Sequence, residues 1–515
     1  MASRLRFGAL SVAVATLVLS ANCSLRRLER ELVAPRQLIT TNAESPYLKA
    51  HLKNGFVYVL SDWHADSAAA VIVGTGQLLD INRAVVDTGR FRVPFDSVAL
   101  FETNVLHGSG ATIALTVMAG ITAGVAAVCL TNTKACFGSC PTFYIEGSTQ
   151  LAAEGFSASI APALEATDLD MLARARPRGR DFTLRLTNEA LETHVIRWAD
   201  LIVAPRPSGG RVFVTPDGRF LNATALTAPS RCTAAEGDCL AAVARLDGQE
   251  RSTTADSTDL ATRETIELEA VVPDSGDWGV VMTARQSLLT TFLIYQSLAY
   301  MGQDAGRFLA ALGTMGPSAR AQAAGLGRTL GRIDVLVPDD SGWIVAGSVG
   351  ETGPLAADTK IVPLPMRRGG AQAQKIRLRM TKGLWRIDYV ALARLGKPVA
   401  TQRLQPARVR RDGRDDPAAW RALRDSALVL ATLPGDVYQL TYRLPPHPER
   451  YEIFLEARGY YLEWMRREWF AEQNSGLALG LFLDPAASLR RLAPAYKQVE
   501  PDIERLFWSS RYAKP

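Results

Sequence analysis

A multidomain, mainly β protein is predicted by two features of this 515-residue chain. Short runs in which apolar and polar residues alternate recur along most of it, and turns rich in Gly, Pro and Asp separate them. The hydrophobic fraction of 47% is ample for several cores. We expect a small β-barrel and antiparallel β-sandwich modules, with an apolar helix after the barrel and a helical C-terminal region.

The first element is a signal peptide at residues 1–23. Arg4 and Arg6 give it a basic start, and the uncharged apolar run from Ala9 to Ala21 has the length of a signal-peptide core. Residues 19–23 resemble the lipobox of bacterial lipoproteins, with one residue more than that pattern and an atypical Asn before the cysteine. The resemblance implies that Cys23 is lipidated and anchors the chain in membrane lipid. The alternatives are a cleaved, secreted chain and a retained, uncleaved anchor.

Residues 45–105 are predicted to form a small β-barrel. An Asn54-Gly55 turn leads into the alternating run from Phe56 to Leu60, and further short strands follow. The pattern resembles the SH3-like or Sm-like barrels of bacterial envelope proteins, in which a later strand follows Val-Pro-Phe-Asp, here residues 93–96.

Residues 108–133 carry no charged side chain and are predicted to be helical. The apolar run from Ala111 to Leu130 is long enough for a membrane span, and Gly120 and Gly124 have the spacing of packed membrane helices. A single crossing here would place the following cysteines in the reducing cytoplasm if the N-terminus is exported. A membrane span and a buried helix are therefore both open.

The cysteines are typical of an oxidising compartment. Cys136 with Cys140 and Cys232 with Cys239 are close enough in sequence for small disulfide loops, which leaves Cys129 as the odd one. Two other pairings among these four are open. A zinc site is disfavoured because six residues separate Cys232 from Cys239, so no metal is predicted.

Residues 134–312 are predicted to be a β-sandwich domain with a terminal helix. The alternating runs at 181–187, 194–203 and 265–271 are typical of half-buried strands, and apolar residues at helical spacing predict a helix over 287–312. A Gly/Ala-rich linker then covers residues 313–331.

Residues 332–396 are predicted to be a second β module. Its closing strand, from Trp385 to Leu392, resembles the last strand of galactose-binding-like jelly rolls, some of which bind carbohydrate. The resemblance implies a ligand-binding platform at Trp385, Asp388 and Tyr389. The alternative, which we favour, is that Trp385 and Tyr389 share one face of the strand and fill the core.

Residues 415–515 are predicted to be helical. Aromatic and aliphatic residues from Tyr451 to Trp469 and from Leu489 to Leu506 recur at spacings of three and four. Such a stripe is more often a docking face on the rest of the protein than a cofactor site.

Several functions have no support in the sequence. The net charge of +6 is mild, and the basic cluster at residues 408–414 lacks interleaved aromatics, so no nucleic-acid partner is predicted. The five histidines lack metal-ligand spacing, and no nucleophile elbow, phosphate loop or dinucleotide motif is present. We therefore predict no catalytic residues and no cofactors, although a pair of catalytic carboxylates needs no motif.

Three features together resemble a group of uncharacterised bacterial envelope lipoproteins: the lipobox-like end at Cys23, the Cys-Phe-Gly-Ser-Cys-Pro-Thr-Phe-Tyr run at 136–144 and the closing strand at Trp385. The resemblance implies a membrane-anchored location in the periplasm, at the outer membrane, and brings no activity. We predict a non-enzymatic protein that binds or scaffolds at a membrane surface, with a glycan or envelope protein as partner. The alternative is an envelope hydrolase acting on glycan or peptidoglycan.

Overall fold

The prediction of a mainly β, multi-sheet protein is confirmed. The computed structural model describes residues 27–33, 45, 47–81, 85–107, 140–177, 179–272, 276–316, 325–340, 342–365, 372–465 and 467–511. Strands account for 47% of the structure and helices for 21%. The chain divides into two compact units, residues 1–126 and 127–515.

The first unit contains one antiparallel sheet with the strand order β1-β6-β2-β3-β4-β5. Its strands are β1 (Arg27–Val33), β2 (Leu48–Leu52), β3 (Val57–Asp66), β4 (Val71–Leu79), β5 (Val85–Pro94) and β6 (Val98–His107). Leu60, Ile72 and Phe101 are fully buried in its core. Gly76 is required, because a Cβ there would lie 1.9 Å from the carbonyl oxygen of Val59.

The short strands predicted for residues 45–105 are present, but in the described part of this unit they do not close into a barrel. Within the described residues β1 and β5 stand at the two ends of the strand order, so the pairing gives a sheet rather than a ring. The apolar segment 108–133 lies outside the described residues. Among the residues that the structure does describe, no helix is long and apolar enough to cross a membrane.

The second unit contains the remaining strands and the helices. The strands are β7 (Thr142–Ile145), β8 (Leu151–Glu154), β9 (Ala166–Met171), β10 (Asp181–Thr187), β11 (Glu192–Pro205), β12 (Arg211–Val214), β13 (Phe220–Thr227), β14 (Arg231–Ala234), β15 (Gly237–Asp238), β16 (Arg263–Val272), β17 (Trp278–Gln286), β18 (Ile333–Asp339), β19 (Gly342–Val349), β20 (Asp358–Pro363), β21 (Gln372–Thr381), β22 (Trp385–Pro398), β23 (Gln402–Leu404), β24 (Arg408–Arg411), β25 (Arg414–Asp415), β26 (Leu430–Thr432), β27 (Val437–Arg443) and β28 (Tyr451–Glu463). The α-helices are α1 (Leu240–Val243), α2 (Leu289–Met301), α3 (Ala305–Leu312), α4 (Gly325–Leu330), α5 (Pro417–Ala422), α6 (Ser475–Leu483), α7 (Pro485–Val499) and α8 (Ile503–Ser509).

These strands form three sheets and a closed barrel. The sheet orders are β25-β24-β27-β10-β7-β8, β23-β11-β28-β9 with β26 beside β11, and β15-β14-β16-β21-β18-β19. The barrel is β12-β13-β22-β17-β20. A core cluster that includes Ile202, Val281, Ile361 and Phe454 joins the barrel to the sheet of β11 and β28. The barrel and that sheet are therefore parts of one folding unit.

The predicted boundaries 134–312, 332–396 and 415–515 do not separate modules. β11 pairs with β28 over nearly its whole length, and β10 pairs with β27, so the two outer segments share sheets. Strands β18, β19 and β21 complete a sheet with β14–β16, whereas β20 and β22 belong to the barrel. Residues 332–396 are thus not a jelly roll of their own. Local patterns reveal strands but not partners that lie some hundreds of residues away in the chain.

Within residues 415–515, α5 is a short helix before the strands, and continuous helical structure begins only after β28, with a 3-10 helix at Arg467–Glu472 followed by α6, α7 and α8. Tyr451–Glu463, predicted as part of a helix, is the long strand β28. Both of its faces are largely buried, because apolar side chains at neighbouring positions are covered on each side of the sheet. A strand buried on both faces loses the period-two alternation, so spacings of three and four arise by chance.

The disulfide predicted between Cys232 and Cys239 is confirmed. It links β14 to the start of α1, and both residues are buried. Cys129 and Cys136 lie outside the described residues. Cys140 is buried with its Sγ 2.9 Å from Oε2 of Glu154, and its pairing with Cys136 stays a prediction.

Removing this disulfide by Cys232→Ala with Cys239→Ala is expected to lower the free energy of unfolding by about 2 kcal/mol. The bridge closes a loop with a sequence separation of 7, and so small a loop restricts the unfolded chain only modestly. Urea denaturation of the double variant and the wild type measures the difference. An unchanged urea midpoint in the double variant would contradict this prediction and show that other contacts hold the loop in its folded conformation.

Candidate functional site

A cavity of about 830 Å³ in the second unit is the candidate site. It lies between helices α2, α3, α4 and α6 and the loops near Ser157 and Glu351. Most of its lining is apolar: Ile160, Leu164, Leu293, Ile294, Met301, Phe308, Leu309, Leu312, Leu326, Leu330, Pro354, Leu481 and Phe482. Small-molecule sites commonly measure about 300–1,000 Å³ and are mainly apolar with a few polar groups, so this cavity has the size and lining of a binding site.

Helix α2 forms the inner wall of the cavity. It carries no charged residue and is buried on most sides, which is typical of a helix covered all round. Tyr295 packs against Trp469 on one side, with ring centroids 5.0 Å apart, while Leu293, Ser297 and Met301 line the cavity. The helix predicted for residues 287–312 is thus present, but Gly302, at φ +54°, ends α2 and divides it from α3.

Helix α6 lies between the cavity and the solvent. Its residues Leu481 and Phe482 line the cavity, and the Phe482 ring stacks on Phe308 of α3 at 4.8 Å. Leu479 and Leu483 of the same helix are 53% and 59% exposed. Leu479 and Leu483 are one helical turn apart, so together they form a small apolar patch that is a candidate interaction surface.

The cavity has a small polar region at Glu351. Ser157 donates a hydrogen bond from its hydroxyl to the Glu351 carboxylate. Protein atoms surround Glu351, and the resulting desolvation raises the pKa of its carboxyl group. The side chain is accessible through the cavity that it borders. Gln286 also lines this space, and among the described residues its buried Oε1 has no hydrogen-bond partner. A ligand group that donates a hydrogen bond would satisfy that oxygen.

A group of carboxylates stands next to Glu351. Burial, and then the negative charge of Glu351, raise the pKa of Asp168 to about 7. Burial and the neighbouring Asp168 and Asp358 also raise the pKa of Asp170. Lys360 is the one cation that balances them in the described structure; its Nζ contacts the Asp358 carboxylate and donates to the Leu169 carbonyl at 2.6 Å. With several acids and one lysine, the group retains protons near neutral pH.

Glu154 holds the loop that carries Glu351 and Pro354. Its Oε1 accepts hydrogen bonds from the backbone N–H groups of Leu355 and Ala356 at 2.9 and 3.2 Å. Gly353, at φ +78°, lets the chain pass this carboxylate, because a Cβ there would lie 1.9 Å from Glu154 Oε1. Burial raises the pKa of Glu154 to about 8, so the acid is largely protonated at neutral pH. No group of three metal-ligating side chains is found in the described parts of the chain.

The rim of the cavity is basic. Arg263, Arg328 and Arg332 line it and are exposed, and the acids of the lining are two, Asp334 and Glu351. Asp334 already pairs with Arg379, at 2.9 Å. This rim therefore carries an excess of positive charge.

The three residues considered for a sugar platform do not line the cavity. Trp385 is 0% exposed, so its ring has no face open to a sugar. Asp388 is buried and accepts hydrogen bonds from the backbone N–H groups of Asp247 and Gly248 at 3.2 and 3.0 Å. Half-buried Tyr389 packs against the core cluster that joins the barrel to its neighbouring sheet.

Trp385 and Tyr389 also do not share a face of β22. The pairing with β17 shifts by one residue between Thr283 and Ala284, which leaves Asp388 as the extra residue of a β-bulge. A bulge reverses the alternation of side chains beyond it, so a spacing of four places the two aromatics on opposite faces.

Comparison with known proteins gives no family. No family model matches this chain, and no curated protein matches it. Among solved structures, it has a distant likeness to a GH31 alpha-xylosidase from Xanthomonas citri, with 8% identity and a TM-score of 0.15. The alignment covers 87% of this chain and 39% of that one, so this chain spans well under half of that protein's length. A TM-score this low supports no conclusion about fold or function.

Proposed function

We propose that this protein is a non-enzymatic binding protein of the bacterial cell envelope, and that its cavity holds an apolar ligand at a membrane surface. The observation that carries the proposal is the cavity of about 830 Å³ with its apolar lining. Transfer of apolar surface from water into such a space is favourable by about 25 cal/mol per Å². A ligand with an alkyl or ring skeleton therefore fits this site better than a polar one.

The cellular part of the proposal comes from the sequence. The lipobox-like segment ending at Cys23 and the resemblance to envelope lipoproteins support an acylated anchor in the periplasm, at the outer membrane. Cys23 lies outside the described residues. The full burial of Trp385 argues against a glycan partner. The apolar lining of the cavity argues for an apolar ligand.

A titration tests the binding proposal. We expect the chain from residue 24 onward to bind dodecanol with one site, measured by calorimetry. Ser297→Phe should abolish binding, because Ser297 is a small, half-buried residue of α2 that lines the cavity and a ring there would fill it. Ser426→Phe, on an exposed residue away from the cavity, is the matched control. Absence of dodecanol binding by the wild type would contradict the proposal.

The exposed face of α6 supports a membrane surface as the place of action. Leu479 and Leu483 face solvent on the helix whose other residues, Leu481 and Phe482, line the cavity. A lipid leaving a bilayer at this face would need to pass only this one helix. We therefore assign the face to a lipid surface.

Leu479→Lys with Leu483→Lys is expected to weaken vesicle binding by about tenfold or more, since each leucine that no longer inserts forfeits about 1.5–3 kcal/mol. Flotation with phospholipid vesicles, using the chain from residue 24 onward, measures this without the acyl anchor. Leu428→Lys, at a residue 44% exposed elsewhere, should bind vesicles as the wild type does. If the double variant floats with vesicles as well as the wild type does, α6 is not the lipid-binding surface. If the wild type is a dimer and the double variant a monomer, the exposed face of α6 is instead an interface between two copies of the chain.

The second candidate function is an envelope hydrolase acting on glycan or peptidoglycan. The observation in its favour is that Glu351, with a raised pKa, borders the cavity close to Asp168, whose pKa is about 7. Paired carboxyl groups of this kind serve as general acid and base. Against it, a sugar needs polar partners for its hydroxyls, whereas most of the surface that the cavity exposes is apolar. Release of soluble sugar fragments from peptidoglycan by the wild type, lost in Glu351→Gln, would favour this function.

A further inference from the structure

We propose that the ligand is an anionic amphiphile whose carboxylate or phosphate head binds Arg328 and Arg332 while its alkyl chain occupies the cavity. This inference rests on the proposed function and adds the chemical class of the ligand. It begins with the charge of the cavity lining, which has three arginines, Arg263, Arg328 and Arg332, against two acids, Asp334 and Glu351. A cluster of positive charges favours the binding of an anion.

The fold brings the three arginines together at one turn. Gly331, at φ +72°, lies between Arg328, near the end of α4, and Arg332, which directly precedes β18. The Arg263 guanidinium lies against the same turn, because a Cβ on Gly331 would be 2.2 Å from its nitrogen. A side chain at residue 331 would therefore push Arg263 away from its neighbours.

The rim has spare donors for a ligand. Arg263 donates to the carbonyl oxygen of Thr329 at 3.2 Å, so part of its role is to hold the end of α4. Asp334 is engaged by Arg379 and by the hydroxyl of Ser348 at 2.8 Å. Arg328 and Arg332 take part in none of the ion pairs between described residues, and each lines the cavity. Planar guanidinium groups bind carboxylate and phosphate with paired hydrogen bonds.

The positions of the arginines and of the apolar lining indicate how the ligand is oriented in the cavity. Leu326 and Leu330 of α4 line the cavity beside the arginines, and Leu309 and Leu312 of α3 continue the apolar wall. A head held by Arg328 and Arg332 would have its chain adjoining these leucines. A cationic head would meet repulsion at the same place.

The test compares four probes with the same dodecyl chain: dodecanoate, dodecyl phosphate, dodecanol and dodecyltrimethylammonium. Calorimetry on the chain from residue 24 onward should give affinities for the two anions about tenfold or more above that for dodecanol at low salt. This advantage should shrink as salt is added, because the arginines are exposed. The ratio between dodecanoate and dodecyl phosphate distinguishes a fatty acid from a phosphorylated lipid as the source of the head.

Arg328→Gln with Arg332→Gln should remove the preference for anions and leave dodecanol affinity within about twofold of the wild type. Arg245→Gln with Arg421→Gln removes the same charge from exposed residues outside the cavity and should retain the preference. The assignment of the anionic head would be overturned if the wild type bound dodecanol and the anions equally well, or if the Arg328/Arg332 variant still preferred the anions. Neither result would contradict the proposed binding function. Failure of every probe to bind would overturn the proposed function itself.

Discussion

Replacing Trp385 with Ala is expected to lower the free energy of unfolding by about 3–5 kcal/mol. Trp385 is fully buried at the first position of β22, where it pairs with Gln286 at the end of β17. Its Nε1 has no hydrogen-bond partner among the described residues, so the loss comes from packing and not from a broken hydrogen bond. Because β22 is a barrel strand, we expect early unfolding of the whole second unit.

Guanidinium denaturation of the purified variant measures this loss. Trp343→Ala is the matched control, because Trp343 lies on the edge strand β19, half-buried, with the Arg377 guanidinium 4.0 Å from its ring centroid. We expect this control to cost about 1 kcal/mol. A Trp385→Ala protein as stable as the wild type that has lost binding to a glycan would contradict the core assignment.

Glu154→Gln is expected to reduce the decrease in the free energy of unfolding that the wild type shows as the pH rises toward 8. Burial raises the pKa of Glu154 in the folded chain from its ordinary value of 4.5 to about 8. The folded state therefore keeps a proton that the unfolded state releases between these values. Its stabilising contribution is fully present below pH 4.5 and is lost as the pH rises to about 8. The size of the loss is on the order of a few kcal/mol, since one pKa unit corresponds to about 1.4 kcal/mol.

Glutamine resembles the protonated acid at this position. Its oxygen can still accept the hydrogen bonds from Leu355 and Ala356. Free energies of unfolding at pH 5 and pH 8 should differ less in Glu154→Gln than in the wild type. A residual slope of the same sign is expected from Asp168 and Asp170, whose pKa values are also raised. Glu449→Gln, on an exposed acid, is the control, and equal slopes in all three proteins would contradict the role given to Glu154.

The sequence predicted a strand with one exposed face at residues 181–187 and misread a strand with two buried faces at residues 451–463. Residues 181–187 alternate in the chain and form β10, half-buried as expected. Residues 451–463 are covered on both sides, and their apolar spacing imitated a helix. The partner of a strand is a tertiary property, so the pairing of β11 with β28 could not be read from local pattern. The bulge at Asp388 likewise depends on the neighbouring strand β17.

The candidate cavity had almost no signal in the sequence. Its walls come from five separated parts of the chain: residues 157–164, Arg263, and residues 286–312, 326–354 and 481–482. None of these contains a motif, because an apolar lining has the same composition as an ordinary core. The raised pKa of Glu351 arises from burial, which only the folded chain creates. The one sequence feature that indicated the cavity walls was the lack of charged residues in two helices that are far apart in the chain, α2 and α6.

The most direct test of the central claim is a crystal structure of the chain grown with 12-bromododecanol. Bromine scatters anomalously, so its position can be located independently of the protein phases. We predict one bromine peak inside the cavity, within contact distance of Leu293, Leu309 or Phe482. The same experiment on Ser297→Phe should show no bromine there. A peak only on the outer surface, or an empty cavity at saturating probe in the wild type, would contradict the claim that this protein binds an apolar ligand.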